Sequence, residues 1–188
     1  MDTRLAGLLD KQEIEETILR YCRGIDRRDF DLVRNCYHPD ASDHHGSFSG
    51  SVDEYIAWVD KLTSRYRFSM HLVGNILIEL GGDATPSDDR IAARDLAACE
   101  TYGVSLHRSD DPRPFMNLAT GFRYLDRFER RDGKWKIAER TAIGEWSLPV
   151  SSDAWWDIPE DHLRSKRDPS DALYGLLASI GRDPSRSA

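Results

Sequence analysis

Several things are scarce in this chain of 188 residues, and each scarcity closes off a class of protein. Cysteine occurs three times, as Cys22, Cys36 and Cys99, with no CxxC pair, which argues against a disulfide framework and a zinc–thiolate knuckle. No apolar run approaches the ~20 residues of a membrane helix. The first residues, MDTRLAGLLDKQEIEE, lack the basic and apolar regions of a secretory signal, so a cytoplasmic location is expected. Basic residues are outnumbered, 26 Lys plus Arg against 33 Asp plus Glu, a net charge of −7. With no basic run to offset that balance, neither nucleic acid nor an anionic membrane is an expected partner. GxSxG, GxGxxG, P-loop and HExxH motifs are all missing, leaving serine hydrolase, nucleotide and zincin chemistries without motif support. Repeats and low-complexity tracts are missing too. What remains is 39% hydrophobic and 31% charged, the profile of one packed domain with a short appendage.

Helical signals fill the first third. Asp10-Lys11-Gln12-Glu13 reads as a capping box, and behind it Ile14, Ile18, Tyr21 and Ile25 recur at helical spacing as one apolar stripe. Asp29 caps a second short helix carrying Phe30 and Val33. Ser51-Val52-Asp53-Glu54 is a further capping box, opening a helix whose buried face is read as Ile56, Val59, Leu62 and Tyr66. After residue 68 the period changes. Met70 to Leu80 is apolar on both alternating faces and predicts a strand covered on both sides, with His71 on the face of Val73, Asn75 and Leu77. A loop over Gly81–Asp89 leads to a second strand, Arg90 to Leu106, rich in alanine (Ala92, Ala93, Ala97, Ala98). His107 to Pro114 reads as a polar loop. Met116–Arg130 and Lys134–Trp146 form a hairpin around Asp132-Gly133, since Asp-Gly supplies the positive φ values of a tight turn. The prediction is α+β: a cone-shaped, curved antiparallel sheet wrapped around N-terminal helices, its mouth a ligand pocket. The domain spans 1–148. Residues 149–188 are a proline-punctuated extension, a lid or oligomer contact, with a last helix from Asp168 or Ser170 through Leu177 and a frayed end from Arg182.

Three residues are candidates for chemistry. Tyr21 shares the apolar stripe, so its hydroxyl must meet either a core carbonyl or a ligand. Asp26 ends the first helix, where the macrodipole disfavours a carboxylate; it needs a donor or cation, or is a surface group neutralised by Arg27 and Arg28. His71 sits in the apolar strand, either as a satisfied core group or as a base whose tautomer an Asp partner fixes. Together they form a hypothetical Asp–His dyad with a phenol donor. Arg140 is either a pocket group for an anionic or carbonyl oxygen or a surface arginine. Asn117, Arg123 and His107 are equally ambiguous. Trp155 and Trp156 either close a hydrophobic mouth or dock the tail. His38, Asp40, Asp43, His44 and His45 (HPDASDHH) look like metal ligands, but the segment reads as an exposed turn whose side chains do not converge, so no metal is expected.

Tyr21-Cys22-Arg23-Gly24-Ile25-Asp26, then Ser69-Met70-His71, then Phe128 to Ile137 around Asp132-Gly133-Lys134-Trp135, resemble the SnoaL-like branch of the nuclear transport factor 2-like superfamily over about residues 8–147. Within it the pattern is most similar to the scytalone dehydratase, bile acid 7α-dehydratase and hexachlorocyclohexane dehydrochlorinase type of lyase. The resemblance implies an α+β barrel, cofactor-free elimination, and a homotrimer. It assigns Asp26 and His71 to the dyad and Tyr21 to a tyrosine five residues before the Asp. An acidic pocket residue of the bile acid enzyme falls near Cys99 or Glu100, and its late-strand arginine near Gly144 rather than Arg140. The expected function is a lyase that removes water or formaldehyde from a small hydrophobic hydroxylated aromatic or polycyclic substrate, the alanine-rich strand leaving room for it. The alternatives are a ketosteroid-isomerase-like isomerase or polyketide cyclase, in which Asp26 shuttles the proton, and a non-catalytic scaffold like the small subunit of ring-hydroxylating dioxygenases.

Overall fold

A computed structural model describes residues 3–82, 91–111, 117–156 and 158–182. The loop read at 81–89, the end of the one read at 107–114 and the frayed end lie partly or wholly outside these residues. Helix α1 (Thr3–Arg27) is followed by α2 (Phe30–Asn35), strands β1 (Tyr37–His45) and β2 (Phe48–Ser51), α3 (Val52–Thr63), then β3 (Phe68–Leu80), β4 (Leu96–Arg108), β5 (Leu118–Arg131), β6 (Lys134–Pro149) and α4 (Ala172–Ser179). The strands form one curved, unclosed sheet in the order β2-β1-β6-β5-β4-β3. From β3 to β6 it is an antiparallel meander, and β1 enters beside β6 in parallel. None of the helices among the described residues is long and apolar enough to cross a membrane.

The predicted stripe of α1 is the core. Ile14, Ile18, Tyr21 and Ile25 are buried against inward-facing Phe128, Ile137 and Tyr124 of the sheet, each aliphatic side chain stabilising the fold by about 1.5–3 kcal/mol. Asp29 caps α2 through Leu32 N–H, and Ser51 and Glu54 form the reciprocal capping box of α3. Asp132 (φ 52°) and Gly133 (φ 73°) make the β5–β6 turn.

Other expectations are corrected. Asp10 and Glu13 do not start α1, which begins earlier. Asp10 instead accepts from Trp135 Nε1 (2.9 Å) and Arg130 Nη1 (2.9 Å), and Glu13 from Trp135 N–H (3.0 Å), so this segment ties the helix to the hairpin. The buried face of α3 is Val52, Tyr55, Val59 and Thr63, rotated from the one predicted. The segment HPDASDHH is strand β1 rather than a turn. Strand β4 begins at Leu96, after a turn of 3₁₀ helix, and His107 belongs to it. Asp171 caps α4. On β3, pairing slips by one residue between Val73 and Ile76. This β-bulge at Gly74-Asn75 reverses the alternation, so Ser69, His71 and Val73 face inward with Ile76 and Ile78, while Leu77 faces out. Leu72 and Leu77 are 68% and 60% exposed, so the described residues do not cover the outer face of β3 there.

Candidate active site

Asp26 occupies the last turn of α1, and its carboxylate reaches across to β3. Oδ1 accepts from His71 Nδ1 at 2.6 Å, and Oδ2 accepts from the His71 backbone N–H at 3.0 Å. Two bonds to one residue fix the ring's position and place its proton on Nδ1, which leaves Nε2 as the lone-pair base. The side chains are 9% (His71) and 13% (Asp26) exposed. Arg27 and Arg28 do not neutralise this carboxylate. Arg27 faces Asp171 at 3.4 Å, and Arg28 pairs with Asp60.

The cation that the end of α1 requires comes from the C-terminal extension. Arg167 donates to the carbonyls of Ile25 (3.3 Å) and Asp26 (3.1 Å) at the end of α1, and to those of Thr63 (2.8 Å) and Tyr66 (2.7 Å) at the end of α3. One guanidinium thus satisfies orphan carbonyls of two helices and sets a positive charge behind the dyad. Burial, chiefly, lowers its pKa to about 10, leaving it charged at neutral pH. Tyr174 of α4 donates to Asp29 (3.3 Å) and helps hold the extension there.

Tyr21 Oη is hydrogen-bonded to Tyr55 Oη. In such a pair one hydroxyl donates to the other, and the proton of the acceptor is left for a ligand. Burial holds the Tyr21 phenol well above its ordinary pKa, and the nearby Arg140 charge only partly opposes this, so the group acts as a neutral donor. Arg140 lies between the rings of Tyr21 (4.0 Å to the centroid) and Tyr124 (4.1 Å) and grips Asp126 through Nε (2.7 Å) and Nη2 (2.6 Å).

Tyr21, Tyr55 and His71 border a cavity of about 440 Å³. Tyr55 and Trp58 of α3, Phe122 and Tyr124 of β5, and Trp146 of β6 wall it. Glycines make this wall possible: a Cβ on Gly103 would come within 2.3 Å of the Phe122 ring, and one on Gly121 within 2.2 Å of the Trp146 indole. His107 also lines the cavity, stacked on Tyr66 (4.7 Å between centroids) and edge-on to His71 (5.7 Å). Its partners are hydroxyls, Ser69 Oγ at Nδ1 (3.0 Å) and Ser105 Oγ at Nε2 (3.1 Å). Burial, helped by His71 and Arg167, drives its pKa down to about 3.

Of the candidates from sequence, Tyr21 and His71 line the cavity, and Asp26 stands behind His71. The other three do not line it. Arg140 is sealed between tyrosine rings with Asp126, neither side chain having any exposure. Asn117 accepts from Ser109 N–H (2.7 Å), bracing the two ends of the β4–β5 connection. Cys99 is buried beside Thr101, its thiol pushed up to about 11 by burial. Ala97 packs in the core away from the cavity and Ala98 faces outward, so glycines rather than the alanine-rich strand provide the room. Trp155 lies against Arg108 and Trp156 is exposed; the tryptophans at the cavity are Trp58 and Trp146. Tyr55 and Arg167 were missed, while His107, left ambiguous on a loop, and His45, read only as part of an apparent metal cluster, both line the cavity. Helical spacing of Val52, Tyr55 and Val59 is the one signal that could have found Tyr55.

The SnoaL-like domain family model matches residues 6–141, and the chain belongs to that family. An uncharacterized protein of Mycobacterium tuberculosis is 26% identical over 139 residues, 72% of this chain and 86% of that protein. Among solved structures, hexachlorocyclohexane dehydrochlorinase LinA-type3 of Novosphingobium barchaimii LL02 superposes with TM-score 0.67 at 17% identity, covering 83% of this chain and 99% of that one. A scytalone dehydratase candidate of Novosphingobium aromaticivorans gives 0.63 at 17%, covering 84% and 97%. At these identities the superpositions establish the fold.

Proposed function

We propose that the protein is a cofactor-independent lyase in which His71, oriented by Asp26, takes a proton from a hydrophobic hydroxylated substrate and water or formaldehyde is released. The observation that carries this reading is the two-point hold of Asp26 on His71 beside an aromatic-walled cavity. In dehydration, His71 Nε2 takes a C–H proton, the electron pair becomes the C=C bond, and the C–O bond breaks as the leaving hydroxyl takes up a proton and departs as water. In formaldehyde release, it takes the O–H proton of a hydroxymethyl group, the C–C bond breaks, and the carbanion left behind is protonated. Asp26 stabilises the imidazolium, and the Tyr21–Tyr55 pair donates to the oxygen where negative charge grows. The names of the two structural neighbours, a dehydrochlorinase and a dehydratase, both describe eliminations. An isomerase in which Asp26 itself shuttles the proton is disfavoured because both of its oxygens are engaged by His71. Stacked rings suit flat aromatic or polycyclic substrates. The exposed outer face of β3 fits burial against further copies, and a homotrimer is part of the proposal.

The test is a screen of hydroxylated diaryl and steroid-like compounds for absorbance from new conjugation, repeated with His71→Ala. Turnover retained by that variant within tenfold of wild type would remove His71 from the base role.

A further inference from the structure

The cavity has a second imidazole beside a carboxylate, on strand β1. His45 lines the cavity together with His71. The two strands lie four steps apart in the sheet, with β6, β5 and β4 between them, so curvature of the sheet brings them to different sides of one hollow. A row of rings joins them: His71 to Phe122 (5.9 Å), Phe122 to Tyr124 (4.5 Å), and Tyr124 to His45 (5.9 Å). His45 is stacked on Tyr55 at 5.5 Å, and its side chain is 27% exposed.

Behind His45 lies Asp43, with no exposure at all. Its Oδ2 accepts from the Tyr37 hydroxyl at 2.7 Å. Among the described residues its Oδ1 has no hydrogen-bond partner, nor has His45 Nδ1, and these two atoms are 3.5 Å apart. A buried carboxylate with a bare oxygen is costly. Hydrogen bonds used in catalysis are often long until substrate binds.

Charge balance indicates which protonation state this pair holds. Asp43, Arg140 and Asp126 are neighbours on one rung across β1, β6 and β5, and all three are buried. Two carboxylates and one guanidinium leave a net negative charge in the interior, and a protonated His45 cancels it. The other groups around His45 are Tyr55, Tyr124 and Trp58, the two phenols held neutral by burial, while Glu145 at the cavity is paired with Arg123 (2.5 Å). Around His71 the balance is reversed. Arg167 already offsets Asp26, so a neutral His71 leaves that side balanced.

From this we infer that Asp43 and His45 are a second proton-transfer pair, with His45 the general acid that protonates the leaving oxygen while His71 takes the proton from carbon. The inference rests on the lyase reading above. In the step, the C–H proton passes to His71 Nε2, the C–O bond breaks, and the proton on His45 Nε2 goes to the departing oxygen. Water leaves, and exchange with solvent resets both rings.

Two measurements test it. The first is NMR of the protein labelled with nitrogen-15 in histidine. At neutral pH, His45 is expected to carry protons on both ring nitrogens, and Asp43→Asn to leave it neutral under the same conditions. A neutral His45 at pH 6 would overturn the inference. The second uses a series of benzisoxazoles, in which a base takes the ring C–H proton, the N–O bond breaks, and a cyanophenol forms. Ring substituents change the basicity of the leaving phenolate without changing the shape of the reacting part. His45→Gln is expected to cost less than about tenfold on the nitro compound and on the order of a hundredfold on a methoxy compound, whose oxygen needs the proton more. Equal loss on both compounds, or none on either, would overturn the acid role of His45. Absence of ring opening by the wild type, or full activity in His71→Ala, would instead bring down the lyase reading.

Discussion

His71 and His107 lie 5.7 Å apart at the same cavity, yet their surroundings give them opposite characters. His71 has a carboxylate at Nδ1 and, among the described residues, no hydrogen-bond partner at Nε2. His107 has a hydroxyl at each nitrogen and is stacked under Tyr66. A carboxylate stabilises the imidazolium that proton abstraction creates, whereas hydroxyls satisfy a neutral ring and offer no compensating charge. The difference teaches that the partner, rather than the histidine, determines which ring can act as base. The ring beside Ser105 and Ser69 is a fixed dipole.

The comparison breaks most sharply if His71 is dispensable. His71→Ala is expected to lower kcat/KM by about three orders of magnitude or more on any substrate found in the screen, while His107→Gln lowers it by no more than about tenfold. Equal losses would erase the distinction. Asp26→Asn removes the charge and turns one of the two acceptors of His71 into an NH2 donor, and a loss of roughly a hundredfold or more is expected, against none if the carboxylate is only structural. Arg167→Met tests the cation behind the pair. A fall of several-fold in kcat with little change in KM, together with about 1–2 kcal/mol of stability lost in urea unfolding, is the expected outcome; an unchanged kcat would confine Arg167 to structure.

One more effect concerns acid. The folded protein keeps His107 neutral down to about 3, while the unfolded chain takes up that proton near 6.5. Between those values the unfolded state binds the extra proton, so this group favours folding fully above pH 6.5 and progressively less on acidification. Unfolding free energy in urea, measured from pH 7 to 4, should therefore fall less steeply in His107→Gln than in wild type, by up to about 1.4 kcal/mol per pH unit. An unchanged slope would show that His107 is accessible to protons in the native state.

Local patterns in the sequence are legible where one element suffices to produce them. The stripe Ile14, Ile18, Tyr21 and Ile25 and the Asp132-Gly133 turn follow from helical period and backbone sterics alone, and the resemblance to a family singled out Asp26 and His71, which the structure brings together. What was misread depends on partners distant in the chain. Asp10 and Glu13 have the spacing of a cap, but Trp135 decides their use. Gly74 is the local mark of the bulge after Val73, but the apolar residues on both sides of it hide the reversal that turns Leu77 outward. His107 sits in a polar run that hides its place in a strand. Arg167 takes its meaning from carbonyls 101 to 142 residues away.

That arginine has a consequence for the order in which the molecule is completed during synthesis. When the ribosome has made most of the sheet, the stretch holding Arg167 is still inside the exit tunnel, so the ends of α1 and α3 emerge without their shared cation. The sheet and its helices can assemble first, and the Asp26–His71 pair gains the cation behind it only when Arg167 emerges. A protease cut between β6 and α4 would return the mature protein to that incomplete state.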